Sequence, residues 1–241
     1  MTFLIVVGVV SVLAGATAGV AGFGIGSLLT PLIAVQVGGV RAVAAVVVPH
    51  FAATALRAWR LRRAIDWAIV RRFGLLSAAG GLGGALLFAR LGGDVLMRIL
   101  GALLIVSALA TLARLGVARR VPGGLVPGLG LVSGFFGGVV GNQGGLRAAA
   151  LLALGLAPAA FVATSTMTGL LVDVVRAPIY LWRAGEDLTA LWPLVVVATA
   201  GSIIGTLLGE RLLFGLSPER FRQLVAGLIG VVGIWLLFGG A

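Results

Sequence analysis

Three polar residues interrupt one glycine-rich apolar stretch, Gly141-Asn142-Gln143-Gly144-Gly145-Leu146-Arg147. The guanidinium of Arg147 is a planar fork suited to an oxyanion, which it can hold through two parallel N–H bonds. No acidic residue lies beside Arg147 in the sequence, so nothing local cancels its charge. A second break, Gly22-Phe23-Gly24-Ile25-Gly26-Ser27, precedes Pro31. Unwound backbone and helix N-termini present free N–H groups and positive dipole ends, which favour an anion. Glycine also lets a ligand approach the backbone closely. The spacing therefore nominates Gly22, Gly24, Gly26, Asn142, Gln143, Gly144, Gly145, Arg147 and Arg176 as a substrate-binding set for a small anion.

Two further constellations share helical faces. Asp173, Arg176 and Tyr180 are spaced i, i+3, i+7, so the acid either neutralises Arg176 or orients and gates it. His50, Thr54 and Arg57 follow an i, i+4, i+7 pattern. His50 has the ordinary pKa range to carry a coupling proton, and equally the donors to join two helices. His50, Asp173 and Tyr180 are accordingly the gating or proton-coupling candidates. Arg57 either belongs to that polar face or serves only as a cytoplasmic anchor, because Arg60, Arg62 and Arg63 follow it. The Thr164-Ser165-Thr166 run lines the site or bonds to its own helix.

These residues sit in a chain that water would not cover. Of 241 residues, 60% are hydrophobic, 39 are glycine and 10% are charged. Mean hydropathy is +1.19. Soluble domains carry about 25% charged residues, so this is an all-α integral membrane protein. No Cys and one His leave no thiol chemistry, thiolate metal site or histidine metal cluster, and no cofactor is expected. The net charge of +11 comes entirely from Arg. Because most of them fall between apolar segments, they indicate topology and lipid contact, with no nucleic acid as partner. Gly22-x-Gly24-x-Gly26 lacks the βαβ surroundings of a dinucleotide site.

Apolar segments fall at 3–21, 42–59, 73–89, 95–113, 124–140, 159–181, 190–209 and 221–238, about eight transmembrane helices. The stretches 25–37 and 145–157 are too short to cross alone, which implies a broken or re-entrant helix at each glycine break. Shifting the chain by 119 residues lays Gly15, Gly19, Gly22 and Gly26 on Gly134, Gly138, Gly141 and Gly145. Thr54 and Arg57 then meet Asp173 and Arg176. Two four-helix repeats follow, residues 1–120 and 121–241, with breaks near 22–26 and 141–145 facing each other near mid-membrane. An even span count per half implies parallel repeats unless a short segment crosses. On this plan Arg57 to Arg72, the 114–120 arginines and Arg183 share one side, which puts both termini in the cytoplasm. Small-xxx-small pairs such as Gly80/Gly84 and Gly201/Gly205 are packing faces, and would equally serve a homodimer.

The doubled plan, with an early Gly-rich break in each half, resembles the TauE/SafE sulfite exporter family. Residues 22–32 match that family's Gly-x-Gly-Gly-Gly…Pro motif with Ile25 at the middle glycine, and Asp66-Trp67 is similar to its Asp-Trp pair. The second copy departs from the motif at Asn142, Gln143 and Arg147. The resemblance implies transport of sulfite, sulfonates or related sulfur anions. The expected function is therefore a secondary transporter of a small anion in the bacterial plasma membrane, working by alternating access between the halves. A channel or uniporter of the same architecture is the alternative. A membrane-embedded enzyme is a poor fit, since little catalytic material is present.

Overall fold

The computed structural model describes residues 1–22, 24–113, 122–142, 144–212 and 218–238. Among them there is no strand. The helices are α1 (Thr2–Ala21), α2 (Ile25–Val37), α3 (Gly39–Arg60), α4 (Trp67–Ile69), α5 (Leu75–Phe88), α6 (Gly93–Leu112), α7 (Val126–Val140), α8 (Gly144–Leu152), α9 (Pro158–Ala190), α10 (Trp192–Leu212) and α11 (Pro218–Phe238). A π-helical stretch, Val70–Gly74, joins α4 to α5. Six stretches are long and apolar enough to cross a membrane: Thr2–Gly19, Gly39–Arg60, Gly93–Leu112, Gly123–Val140, Pro158–Gly185 and Trp192–Gly209. The eight expected segments all fall on helices, and among the described residues six candidate spans are found. Ile5, Val9, Leu13, Leu86, Leu109, Val132, Val196 and Ile234 are exposed, the side chains a bilayer would cover.

Both glycine breaks end a helix in the same way. Gly22 (φ 75) and Gly141 (φ 75) take the left-handed conformation open to glycine, and their N–H groups bond back to the Ala18 and Gly137 carbonyls at 3.1 and 3.0 Å. Gly24 (φ 146) starts α2, and a Cβ there would stand 2.9 Å from the Thr17 side chain. The helices after the breaks are short. At 1.5 Å per residue, the 13 residues of α2 reach about 20 Å and the 9 of α8 about 14 Å, against about 30 Å of hydrocarbon.

Contacts give the directions. His50 meets Asp173 and Arg57 meets Thr166, so α3 and α9 run antiparallel. Gly101 packs on Gly233 and Gly230 on Ala108, so α6 and α11 are antiparallel too. By contrast α1 runs parallel to α10 (Gly8 to Val197, Val12 to Gly205, Ala16 to Gly209), and α5 parallel to α7 (Phe73 to Gly130, Ser77 to Gly134, Gly81 to Gly138). Along these two pairs glycine lies on backbone. A Cβ at Gly84 would fall on Phe135, and one at Gly205 on Val12. The small-xxx-small faces expected to pack are thus consumed within the chain, as close approach without a hydrophobic drive requires.

The antiparallel pairs overturn the parallel-repeat expectation. α3 and α9 occupy matched positions at the shift of 119, and parallel repeats would make them run the same way. The physical cause is that α2 returns to the face α1 started from. That face carries the start of α1, the turn at Gly38 (Gly39 backs onto the Gly93 carbonyl at 2.8 Å), the α9–α10 junction, and the end of α11. Arg183, expected beside Arg60 to Arg72, instead donates to the Ala89 carbonyl at 3.3 Å on this terminal face. The opposite face carries Arg60, Arg62, Arg63, Arg71 and Arg72, and there Asp66 N–H donates to Thr164 Oγ1 at 2.9 Å. The sidedness expected from the arginine count therefore does not hold: the termini lie across from the Arg60–Arg72 turn. Exposed Trp59 and Trp67 stand at one face, Trp182 and Trp192 at the other, as at two interfaces.

Candidate functional site

α9 is a polar stripe inside an apolar shell. Thr164, Ser165, Thr166, Thr168, Asp173, Arg176 and Tyr180 are all buried along it. The hydroxyl run at 164–166 reaches out to other elements: Thr164 holds the Asp66 amide, Ser165 takes Arg147 and Thr166 takes Arg57. Asp66 in turn caps α4, its Oδ1 accepting from the Ala68 and Ile69 amides at 3.0 Å each. That gives the Asp-Trp pair a structural task at the turn leading to α5.

Arg147 ties both breaks to α9. From α8 its Nε donates to Ser165 Oγ at 2.9 Å and its Nη2 to the Gly22 carbonyl at 3.2 Å. Its Nη1 is buried with no hydrogen-bond partner. Gly169 makes room for it, since a Cβ there would stand 2.9 Å from Nη1. The breaks themselves touch. Ser27 Oγ donates to Asn142 Oδ1 at 3.1 Å, and a Cβ on Gly26 would lie 2.6 Å from the Gly141 carbonyl.

The nominated set divides accordingly. Gly22 offers its carbonyl to Arg147 and spends its N–H on Ala18, so it supports the guanidinium and cannot donate to an anion. Gly24 and Gly26 belong to the start of α2, where the first amide bonded to a helical carbonyl is Leu28. Asn142 is buried against α2. Gly144 starts α8 and is buried, while Gly145 faces Ser107 of α6, a packing contact. Gln143 lies outside the described residues.

Asp173 anchors a second cluster. Its Oδ1 accepts from Arg176 Nε at 2.9 Å and lies 2.7 Å from Nη2, while Oδ2 lies 2.6 Å from His50 Nδ1. Thr54 Oγ1 is 3.4 Å from the same ring nitrogen. The remaining Arg176 donor, Nη1, bonds the Gly137 carbonyl at 2.7 Å, and Tyr180 OH donates to Gly138 at 2.6 Å. Those carbonyls belong to the last turn of α7, at the negative end of its dipole. The Phe88 ring packs on Tyr180, centroids 4.3 Å apart. Arg176, nominated as an anion ligand, is thus committed to Asp173 and α7. His50, Asp173 and Tyr180 do come together, as one network.

Arg57 is the residue the sequence reading missed. It is buried, its Nε donates to Thr166 Oγ1 at 2.8 Å, and its Nη1 has no partner. An anchor would sit in the headgroups with Arg60. The available signal was its register with His50 and with Arg176 at the shift of 119. Among the described residues the interior therefore holds three guanidiniums, Arg57, Arg147 and Arg176, against one carboxylate, Asp173.

Among the described residues, helices with apolar outer surfaces, touching breaks and a buried cationic interior are those of a multi-pass membrane protein. The chain belongs to the TauE/SafE sulfite exporter family, whose model matches residues 7–236, nearly its whole length. Comparison with curated proteins and with solved structures finds no match. The family is one of membrane transporters for sulfite and related sulfur compounds.

Proposed function

We propose that the protein is a secondary transporter of a small anion, a sulfur oxyanion or organosulfonate such as sulfite, bound where the two breaks meet α9. One observation carries this reading: Arg147 is buried, held by Ser165 and Gly22, and keeps Nη1 unpartnered. An unpaired buried guanidinium is costly unless a charged ligand shares the site. The touching breaks, Gly26 on Gly141, supply a contact between two halves that rock against each other. The antiparallel α3/α9 and α6/α11 pairs support an inverted duplication, residues 1–120 against 121–241. His50 and Asp173 are the proton-coupling pair, and the Arg176–Tyr180 contacts to α7 are the latch. The reading is of a transporter, not an enzyme. The test is flux of labelled sulfite into proteoliposomes. Uptake that accelerates with sulfite preloaded on the far side supports a carrier; flux indifferent to the far side favours a channel, and no flux of any sulfur anion refutes the proposal.

The distribution of arginines over the two faces supports an orientation in a plasma membrane. Arg60, Arg62, Arg63, Arg71 and Arg72 lie across from the termini, and the connection between α6 and α7 adds Arg114, Arg119 and Arg120 to the sequence. The terminal face has Arg41, Arg90, Arg98 and Arg183. The positive-inside rule puts the arginine-rich face in the cytoplasm and both termini outside. With no native Cys, single substitutions report this directly. A membrane-impermeant maleimide is expected to label Gly92→Cys in intact cells, and Arg63→Cys only after permeabilisation; the reverse pattern reverses the orientation.

A further inference from the structure

We propose that the site takes a doubly charged oxyanion and that Arg57 is its second ligand. This rests on the anion-site reading above and goes further in naming the charge class and the partner residue. The argument starts from charge. Asp173 bonds Arg176 through Oδ1 and His50 through Oδ2, and the hydrogen bonds of Arg57 and Arg147 go to other groups. Both of these are buried, 4% and 2% exposed, and each keeps a bare Nη1. A guanidinium Nη carries two N–H donors, so four N–H donors stand open in the buried interior.

Position brings the two together. Thr166 seats Arg57 and Ser165 seats Arg147, adjacent residues of one helix. Guanidiniums thus reach α9 from α3 and from α8, each seated on one of two consecutive hydroxyls. A single negative charge would leave one buried cation without a counter-charge, and an unpaired buried charge is heavily penalised. Two charges on one small anion balance Arg57 and Arg147 together. The pyramidal SO₃ head of sulfite in its doubly ionised form, or the head of thiosulfate or sulfate, has both the charge and the acceptors. An alkylsulfonate has a similar head with one charge fewer.

Calorimetric titration of the detergent-purified full chain with sulfate, thiosulfate and sulfite against methanesulfonate and isethionate tests this, repeated on Arg57→Gln, Arg57→Lys and Arg147→Gln. The expected result is that the tightest ligand is a dianion, at least tenfold tighter than either sulfonate. Arg57→Gln should bring that ratio close to one by loss of dianion affinity, while Arg57→Lys, which keeps the charge, retains a preference and controls for folding. A sulfonate that binds as tightly as any dianion overturns the proposal, as does a ratio unchanged in Arg57→Gln. If both classes bind equally and Arg147→Gln abolishes both, the anion site stands and this inference fails. If no anion binds the wild-type chain, both fall.

Discussion

Arg147→Ala is expected to lower sulfur-anion flux in proteoliposomes by about 100-fold or more, with the helical fold intact. A factor of 100 is about 2.7 kcal/mol, within reach of one lost charge-assisted fork. The side chain bridges Ser165 and the Gly22 carbonyl while keeping Nη1 open, so its removal deletes a ligand and the support that fixes it. Arg147→Lys should recover only a small part, because an ammonium is a point charge and cannot make the same planar set of bonds. Gly169→Ala approaches the same atom from the other side: its methyl would stand 2.9 Å from Nη1 and should reduce flux without removing any polar group. Near-normal flux in Arg147→Ala would show that the guanidinium packs helices and binds nothing. Circular dichroism and the melting temperature separate the two outcomes from simple misfolding.

Asp173→Asn is expected to be the most destabilising polar substitution in the chain, at about 3–5 kcal/mol. Breaking a buried ion pair leaves an uncompensated charge, whereas removing both partners is far milder. Here one carboxylate serves His50 at 2.6 Å and Arg176 at 2.7 Å, and is itself fully buried. Its loss would also free Arg176 from the orientation that delivers Nη1 to Gly137 and so loosen the end of α7. The check is a double-mutant cycle read by melting temperature in detergent. Arg176→Gln added to Asp173→Asn should restore much of the loss, with a coupling beyond the additive sum. Purely additive effects would mean that the pair is not coupled in the folded state.

Much of the site was legible because its chemistry is local. Arg147, Asn142 and the His50, Asp173 and Tyr180 candidates stand out as polar groups in apolar runs, where a lipid environment admits few. The breaks at Gly22 and Gly141 were legible for a backbone reason, since both adopt a φ of 75°. Partnership was not legible. Arg176 looked available until Asp173 and Gly137 took its donors, and Arg57 looked spent in the headgroups until Thr166 was seen holding it. Gly145 lined a site on paper and instead meets Ser107, because the rotation of α8 is set by what it packs against.

By itself the sequence determined that this is a helical membrane protein, where its helices break, and which family resemblance to expect. Those properties follow from composition, from runs of about 20 apolar residues and from glycine's tolerance of left-handed backbone, all written in short stretches of chain. Only the tertiary structure decided the direction of each helix. Hydropathy has no sign along the membrane normal, so a hairpin that turns back and a helix that crosses read alike. One such hairpin, α1–α2, sets α3 antiparallel to α9 and carries the termini across from the arginine-rich turn. The charge balance at the core was also a tertiary decision, for among the described residues it depends on which of three buried arginines Asp173 reaches.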